Sequence, residues 1–188
     1  MKIVYKHLIE KIFKLSKYIF IGSLFLNITT AQEVSWRKTY GGQRLESARD
    51  LEILKNKDYV YAGTSTSFSQ GDSDLYVVRI NPQNGNIIWS KTFGGNGQEI
   101  AYSICETIDN NIIVAGSSSS TGGAENDDIY VIKINQVNGE ALWSKKFGTT
   151  GKDIAREIKT TADGGYIVTG QTAVNDSTFD AFLLKLDA

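Results

Sequence analysis

The sequence predicts an all-β chain in which one four-stranded antiparallel unit is written three times. Trp36, Trp89 and Trp143 stand 53 and 54 residues apart, and each sits in a similar string: VSWRKTYGG, IIWSKTFGG and ALWSKKFGT. Between them lie short segments rich in Val, Ile, Tyr and Phe, bounded by Gly, Asn, Asp and Ser. That is the chemistry of strands and turns, and no window of helical period occurs beyond the N-terminal segment. A length of 188 residues, 41% hydrophobic and 22% charged, fits one globular domain and excludes a disordered, collagenous or disulfide-rich chain.

The first element is an address. Met1–Lys17 is basic, Tyr18–Ile28 is an apolar run, and Thr29-Thr30-Ala31 places small residues before a cleavage between Ala31 and Gln32. That is the order of a secretory signal peptide over residues 1–31. The apolar run is 11 residues long, well short of the roughly 20 that span a bilayer. The expectation is an exported protein, secreted or at the cell surface, with no membrane span after cleavage. The mature domain is then 32–188, with repeats at 34–86, 87–140 and 141–188. Cleavage removes the only histidine, His7, and leaves 15 Lys and Arg against 20 Asp and Glu, a net charge of -5. A mildly acidic surface is a poor match for a phosphate backbone, so no nucleic-acid partner is expected. Cys105, the only cysteine, cannot form an intramolecular disulfide and is expected to act as a buried small hydrophobe.

Within each repeat the elements follow in a fixed order. Counting from the tryptophan, an aromatic stands at +4 (Tyr40, Phe93, Phe147) and an acid at +10 (Glu46, Glu99, Asp153). Alanine follows at +12 (Ala48, Ala101, Ala155) and an aliphatic at +15 (Leu51, Ile104, Ile158). An apolar strand then ends in glycine at Gly63, Gly116 and Gly170, and a loop of variable length leads to DLYVVRI, DIYVIKI or DAFLLKL. Asn84-Gly85, Asn138-Gly139, Asp109-Asn110 and Asp163-Gly164-Gly165 mark the reversals. YVYAG and IIVAG are apolar on both faces, as interior strands are, while VSWRKTY and ALWSKKF alternate, as strands with one wetter face do.

Four antiparallel strands at a period a little above 50 make the blade of a β-propeller. In the Gly-ended buried strand, the Asp-aromatic strand and the Asn-Gly turn into a Trp strand, the chain resembles secreted bacterial β-propeller repeat proteins with kelch-like blades. It departs from that pattern in carrying one glycine, not two, at Gly63, Gly116 and Gly170. The resemblance implies a blade order from the axis outward of inner strand, Gly-ended strand, Asp-aromatic strand and Trp strand. The chain then opens with an outer strand, Val34–Tyr40, and closes on a third strand, Asp180–Leu186. Three blades are fewer than the usual four to eight. Two solutions are open: a head-to-tail homodimer completing a six-bladed ring, each copy lending its N-terminal strand to the other, or a piece of a longer propeller.

The chemistry is first an inventory of exclusions. A mature chain with no histidine and one cysteine holds no Ser-His-Asp triad, Cys-His pair or thiolate metal cluster, and no phosphate-binding GxxxxGK[ST] loop occurs. Propeller topology brings the loops at 41–47, 94–100 and 148–154 to the same end as those at 64–73, 117–127 and 171–179. Glu46, Glu99, Asp153, Asp72, Asp127 and Asp176 therefore form a candidate ligand-binding face. Such oxygen-rich loops suit Ca²⁺ or sugar hydroxyls, and Asp72-Ser73-Asp74 is the nearest approach to a Ca²⁺ ligand run, short and unrepeated. The competing role, favoured for the repeated acids, is acceptance of backbone N–H bonds in tight turns. The tryptophans recur mid-strand at one repeat position and are expected between blades. Arg49, Asp50, Tyr102, Ser103, Arg156 and Glu157 differ between repeats on the inner strands, where mixed charge either binds a ligand or pairs internally.

The functional expectation is a secreted, non-enzymatic binding or cell-surface interaction module, its protein or glycan partner unidentified and no cofactor demanded. A lectin-like carbohydrate-binding propeller is the alternative. A glycan-active enzyme using Glu46, Glu99 or Asp153 comes third, since it needs two carboxylates about 5–10 Å apart and the repeat offset spreads these acids over successive blades.

Overall fold

A computed structural model describes residues 34–120, 127–175 and 178–188. The expected signal peptide and Asp176 lie outside the described residues. Val34 and Ser35 fall in a unit with the N-terminal segment, and every strand belongs to a second unit, Trp36–Ala188. The fold is all-β, with eleven strands in three antiparallel sheets and no helix among the described residues.

The first sheet runs β1 (Glu46–Ile53), β2 (Tyr59–Ser65), β3 (Asp74–Ile80) and β4 (Ile87–Phe93), each paired with the next. The second repeats it with β5 (Glu99–Glu106), β6 (Ile112–Ser118), β7 (Asp128–Ile134) and β8 (Ala141–Phe147). The third has β9 (Asp153–Thr160), β10 (Tyr166–Asn175) and β11 (Thr178–Leu186). The sheets pack face to face in chain order and do not close into a ring. Val34–Tyr40, expected as an outer strand, forms no strand, because a strand needs a ladder partner and none lies beside it among the described residues.

Stacking explains why the second and third strands are apolar on both sides. Val60, Ala62, Leu75 and Val77 meet Ala101, Ile104, Ile112, Val114 and Ile132 in one core. The opposite faces of β6 and β7 supply Ile113, Ala115, Ile129 and Val131 to a second core with Ala155, Ile158, Tyr166 and Val168. Each fully buried aliphatic side chain stabilises by about 1.5–3 kcal/mol. Cys105 is buried and free in the second core, as its sequence context suggested.

Two repeated features shape the inner strands. Ala48, Ala101 and Ala155 pair with Gly63, Gly116 and Gly170, and the ladder slips one residue beyond each pair. The extra residues are Arg49, Tyr102 and Arg156. A Cβ on each glycine would come within 2.0 Å or less of the carbonyl oxygen of Ser47, Ile100 or Ile154, so only glycine admits the bulge. The turn after each inner strand puts one residue at positive φ: Lys57 (76°), Asn110 (57°) and Gly164 (85°).

Each sheet repeats an ion pair between its first turn and its third strand, and hydrogen bonds tie one sheet to the next. Arg79 pairs with Asp58 at 2.6 Å, Lys133 with Asp109 at 3.0 Å and Lys185 with Asp163 at 2.8 Å. Trp89 on β4 donates its Nε1–H to the Gln136 carbonyl of the second sheet at 2.9 Å, and Arg79 donates to the same oxygen. Trp36 donates in the same way to the Pro82 carbonyl at 2.9 Å. Pro82 and Gln136 hold equivalent places in the repeat, so Trp36 docks on the first sheet as Trp89 docks on the second.

Candidate functional site

The acids at +10 are the first residues of β1, β5 and β9, so they stand at the strand entrance and not in mid-loop. Each turns back to hold the loop before it. Glu46 accepts from the Gly42 N–H at 3.1 Å, Glu99 from the Gly95 N–H at 2.9 Å and Asp153 from the Thr149 N–H at 2.5 Å. Their remaining capacity goes to hydroxyls. Glu46 accepts from Ser65 Oγ, Glu99 from Ser118 and Ser120, and Asp153 from Thr149 Oγ1. Burial raises the Glu46 carboxyl, but the bonds from Ser67, Gly42 and Ser65 outweigh it and set the pKa below the ordinary value. Glu99 and Asp153 are buried.

The variable-loop acids sit beside the next sheet. Asp72 N–H donates to the Gly97 carbonyl at 3.2 Å, and Glu99 N–H donates to Ser73 O at 2.7 Å. At the second junction Asp153 N–H donates to Asp127 O at 2.6 Å, while the Asp127 carboxylate pairs with Lys152 at 3.1 Å. Asp72 is thus beside Glu99 and Asp127 beside Asp153. Among the described residues, no three His, Cys, Asp or Glu side chains are grouped to hold a metal ion. Glu46 lines an open cleft of about 710 Å³ with Tyr40, Arg44 and Tyr61. Glu99 lines one of about 380 Å³ with Tyr130, Lys145 and Lys146.

Asp74 stands at the same junction. Its side chain is buried, Oδ2 accepts a long bond from the Gln70 N–H at 3.4 Å, and Oδ1 has no hydrogen-bond partner. Burial pushes its pKa up, the Gln70 bond opposes that, and the Glu99 charge adds to it.

The bulges build a different group of side chains. Arg49 Cζ lies 5.3 Å from the centroid of the Tyr102 ring, and Arg156 Cζ lies 4.5 Å from the same centroid. Three successive inner strands each contribute one member. Neither guanidinium forms an ion pair among the described residues, and Arg156 donates only to Gln171 Oε1 at 3.3 Å. The acids next to them in sequence are occupied. Asp50 accepts from the Ile104 N–H at 2.9 Å and from its own neighbour Leu51, and Glu157 pairs with Lys159 at 3.3 Å. The arrangement places two guanidinium groups, without an ion pair among the described residues, over one aromatic ring at the edges of three successive inner strands. The sequence marks these positions as variable, but their convergence depends on the bulge, whose only signal is the recurring alanine and glycine.

No family model matches the chain, and no curated protein matches it. Among solved structures, it is similar to a protein of unknown function from Bacteroides caccae, with 14% identity and a TM-score of 0.48. That match covers 79% of this chain and 49% of the other, so the chain spans about half the length of that structure.

Proposed function

We propose that the chain is an exported, non-enzymatic binding module built from kelch-like propeller blades, and that Arg49, Tyr102 and Arg156 form its ligand site. The observation that carries this reading is the convergence of two unpaired arginines on one tyrosine ring. A guanidinium binds carboxylate through a planar fork, and stacking on an aromatic face holds that fork in place. A carboxylated glycan presents the group that fork would take. The residue types support binding over turnover, since the +10 acids are committed to backbone N–H groups and hydroxyls.

The test is titration of the protein with oligogalacturonate at low salt, with a neutral oligosaccharide of the same length as control. The acidic sugar should bind and the neutral one should not. Replacing Arg49 and Arg156 together by Gln should weaken binding at least tenfold, and added salt should weaken it in the parent protein. Unchanged affinity in that double variant, or equal affinity for the neutral sugar, would remove the site from consideration.

A further inference from the structure

We propose that the outward face and free edge of the third sheet are covered by a second copy of this chain, whose Val34–Tyr40 segment pairs with β11. Two such contacts, related by a twofold axis, join three sheets to three. The inference rests on the repeated interfaces and is independent of what ligand the bulge residues hold.

The two internal interfaces show what each face of a sheet is for. On β3, Leu75 and Val77 face the following sheet while Tyr76, Val78 and Ile80 face the other way. On β7, Ile129 and Val131 face the following sheet, and Ile132 and Ile134 face the preceding one. On β11, Phe182, Leu184 and Leu186 pack back against the second sheet. By the same alternation Ala181, Leu183 and Lys185 face forward, where no described residue covers them, and Leu183 is 76% exposed. The forward ion pair of each sheet is nevertheless in place, with Lys185 on Asp163 as Arg79 is on Asp58.

The complementary surface is on the first sheet. Its backward face, with Tyr59, Tyr61 and Ile80, opens as a largely apolar cleft of about 540 Å³, and Leu51 at its rim is 57% exposed. Trp36 already occupies on this sheet the place that Trp89, an outer-strand residue, occupies on the second. Trp36 and Tyr40 are therefore seated as outer-strand residues of a preceding sheet would be. Among the described residues the third sheet has no outer strand and the first carries a spare segment. A second copy satisfies both, and joins a forward face to a backward face as the two internal interfaces do.

The internal ladders also set the register. Leu75, Val77 and Arg79 face Phe93, Lys91 and Trp89, and Ile129, Val131 and Lys133 face Phe147, Lys145 and Trp143. Carried to the third sheet, Ala181, Leu183 and Lys185 face Tyr40, Lys38 and Trp36 of the second copy. Directly opposed residues of an antiparallel pair lie about 4.5–5.5 Å apart at Cα, within reach of a disulfide.

The experiment is light scattering on the chain as the cell processes it, followed by oxidation of cysteine variants. We expect the mass of two chains, with Leu183→Asp shifting it to one. Lys38→Cys with Leu183→Cys should cross-link between chains on oxidation, whereas Arg37→Cys with Leu183→Cys, one residue out of register, should not. A monomeric parent protein would overturn the proposal and leave this face for a further repeat of a longer polypeptide. A mass above two chains would overturn the closed pair. A dimer in which the 38–183 pair stays reduced would overturn the register and the face. Loss of oligogalacturonate binding in the double arginine variant, with the dimer intact, would bear on the ligand alone.

Discussion

At the residue scale, the repeated acids act as clamps between a loop and a strand. Glu99 is buried and accepts from one backbone N–H and two hydroxyls, so replacing it by Ala leaves three donors without their charged partner. A cost of about 3 kcal/mol is expected, read from urea unfolding. Lys57 is the reverse case, a lysine at φ 76° where the other repeats place Asn110 and Gly164. Lys57→Gly should stabilise by roughly 0.5–1 kcal/mol, since it relieves left-handed strain and gives back part of the gain as unfolded-chain entropy. A neutral or destabilising result in the same assay would count against strain at that turn.

The ion pairs on the turns give a pH dependence with a definite sign. Burial raises the Asp109 carboxyl, but hydrogen bonds from Thr107, Lys133 and Asn111, together with the Lys133 charge, hold it at about 2, against an ordinary 3.8. A depressed carboxyl stabilises the fold above its unfolded value and loses that contribution as pH falls toward the folded one. Stability should therefore drop between about pH 4 and pH 2. Asp109→Asn should flatten that part of the curve, measured as melting temperature against pH.

At the element scale, the bulged inner strand depends on the glycine opposite it. Gly116→Ala would put a methyl group 1.8 Å from the Ile100 carbonyl oxygen. The backbone must move, and a cost of about 3 kcal/mol is expected. The more telling result is local: moving β5 away from β6 should part Tyr102 from Arg49 and Arg156 and weaken acidic-sugar binding together with stability. Retained affinity in a destabilised Gly116→Ala protein would show that the bulge does not position the cluster.

At the scale of the whole molecule, stability is carried by faces between sheets. Cys105 reports on one of them. Burial first, then the charge of Glu52, pushes its thiol up to about 11, so alkylation at pH 8 should be slow in the folded protein and fast in urea. Trp143 packs into that same core, with its ring centroid 6.2 Å from that of Tyr166. Trp143→Ala should remove about 3–5 kcal/mol and speed Cys105 labelling, while labelling that stays slow would mean the second and third sheets hold together without it.

How much of this was legible beforehand follows from the range of each interaction. The repeat, the strand order within each sheet and the turns at Asn84-Gly85, Asn138-Gly139 and Asp163-Gly164-Gly165 depend on local periodicity and turn chemistry, which neighbouring residues encode. Lys57 escaped because lysine carries no turn signature. The alternative role of Glu46, Glu99 and Asp153 as backbone acceptors was also legible, since a side chain reaching four residues back is a local event. The convergence of Arg49, Tyr102 and Arg156 was not. It joins three strands some 50 residues apart, and a one-residue bulge decides which way each side chain points. The fate of Val34–Tyr40 was likewise a tertiary matter: its sequence carries strand propensity, but a strand exists only beside a partner, and no described strand lies beside it.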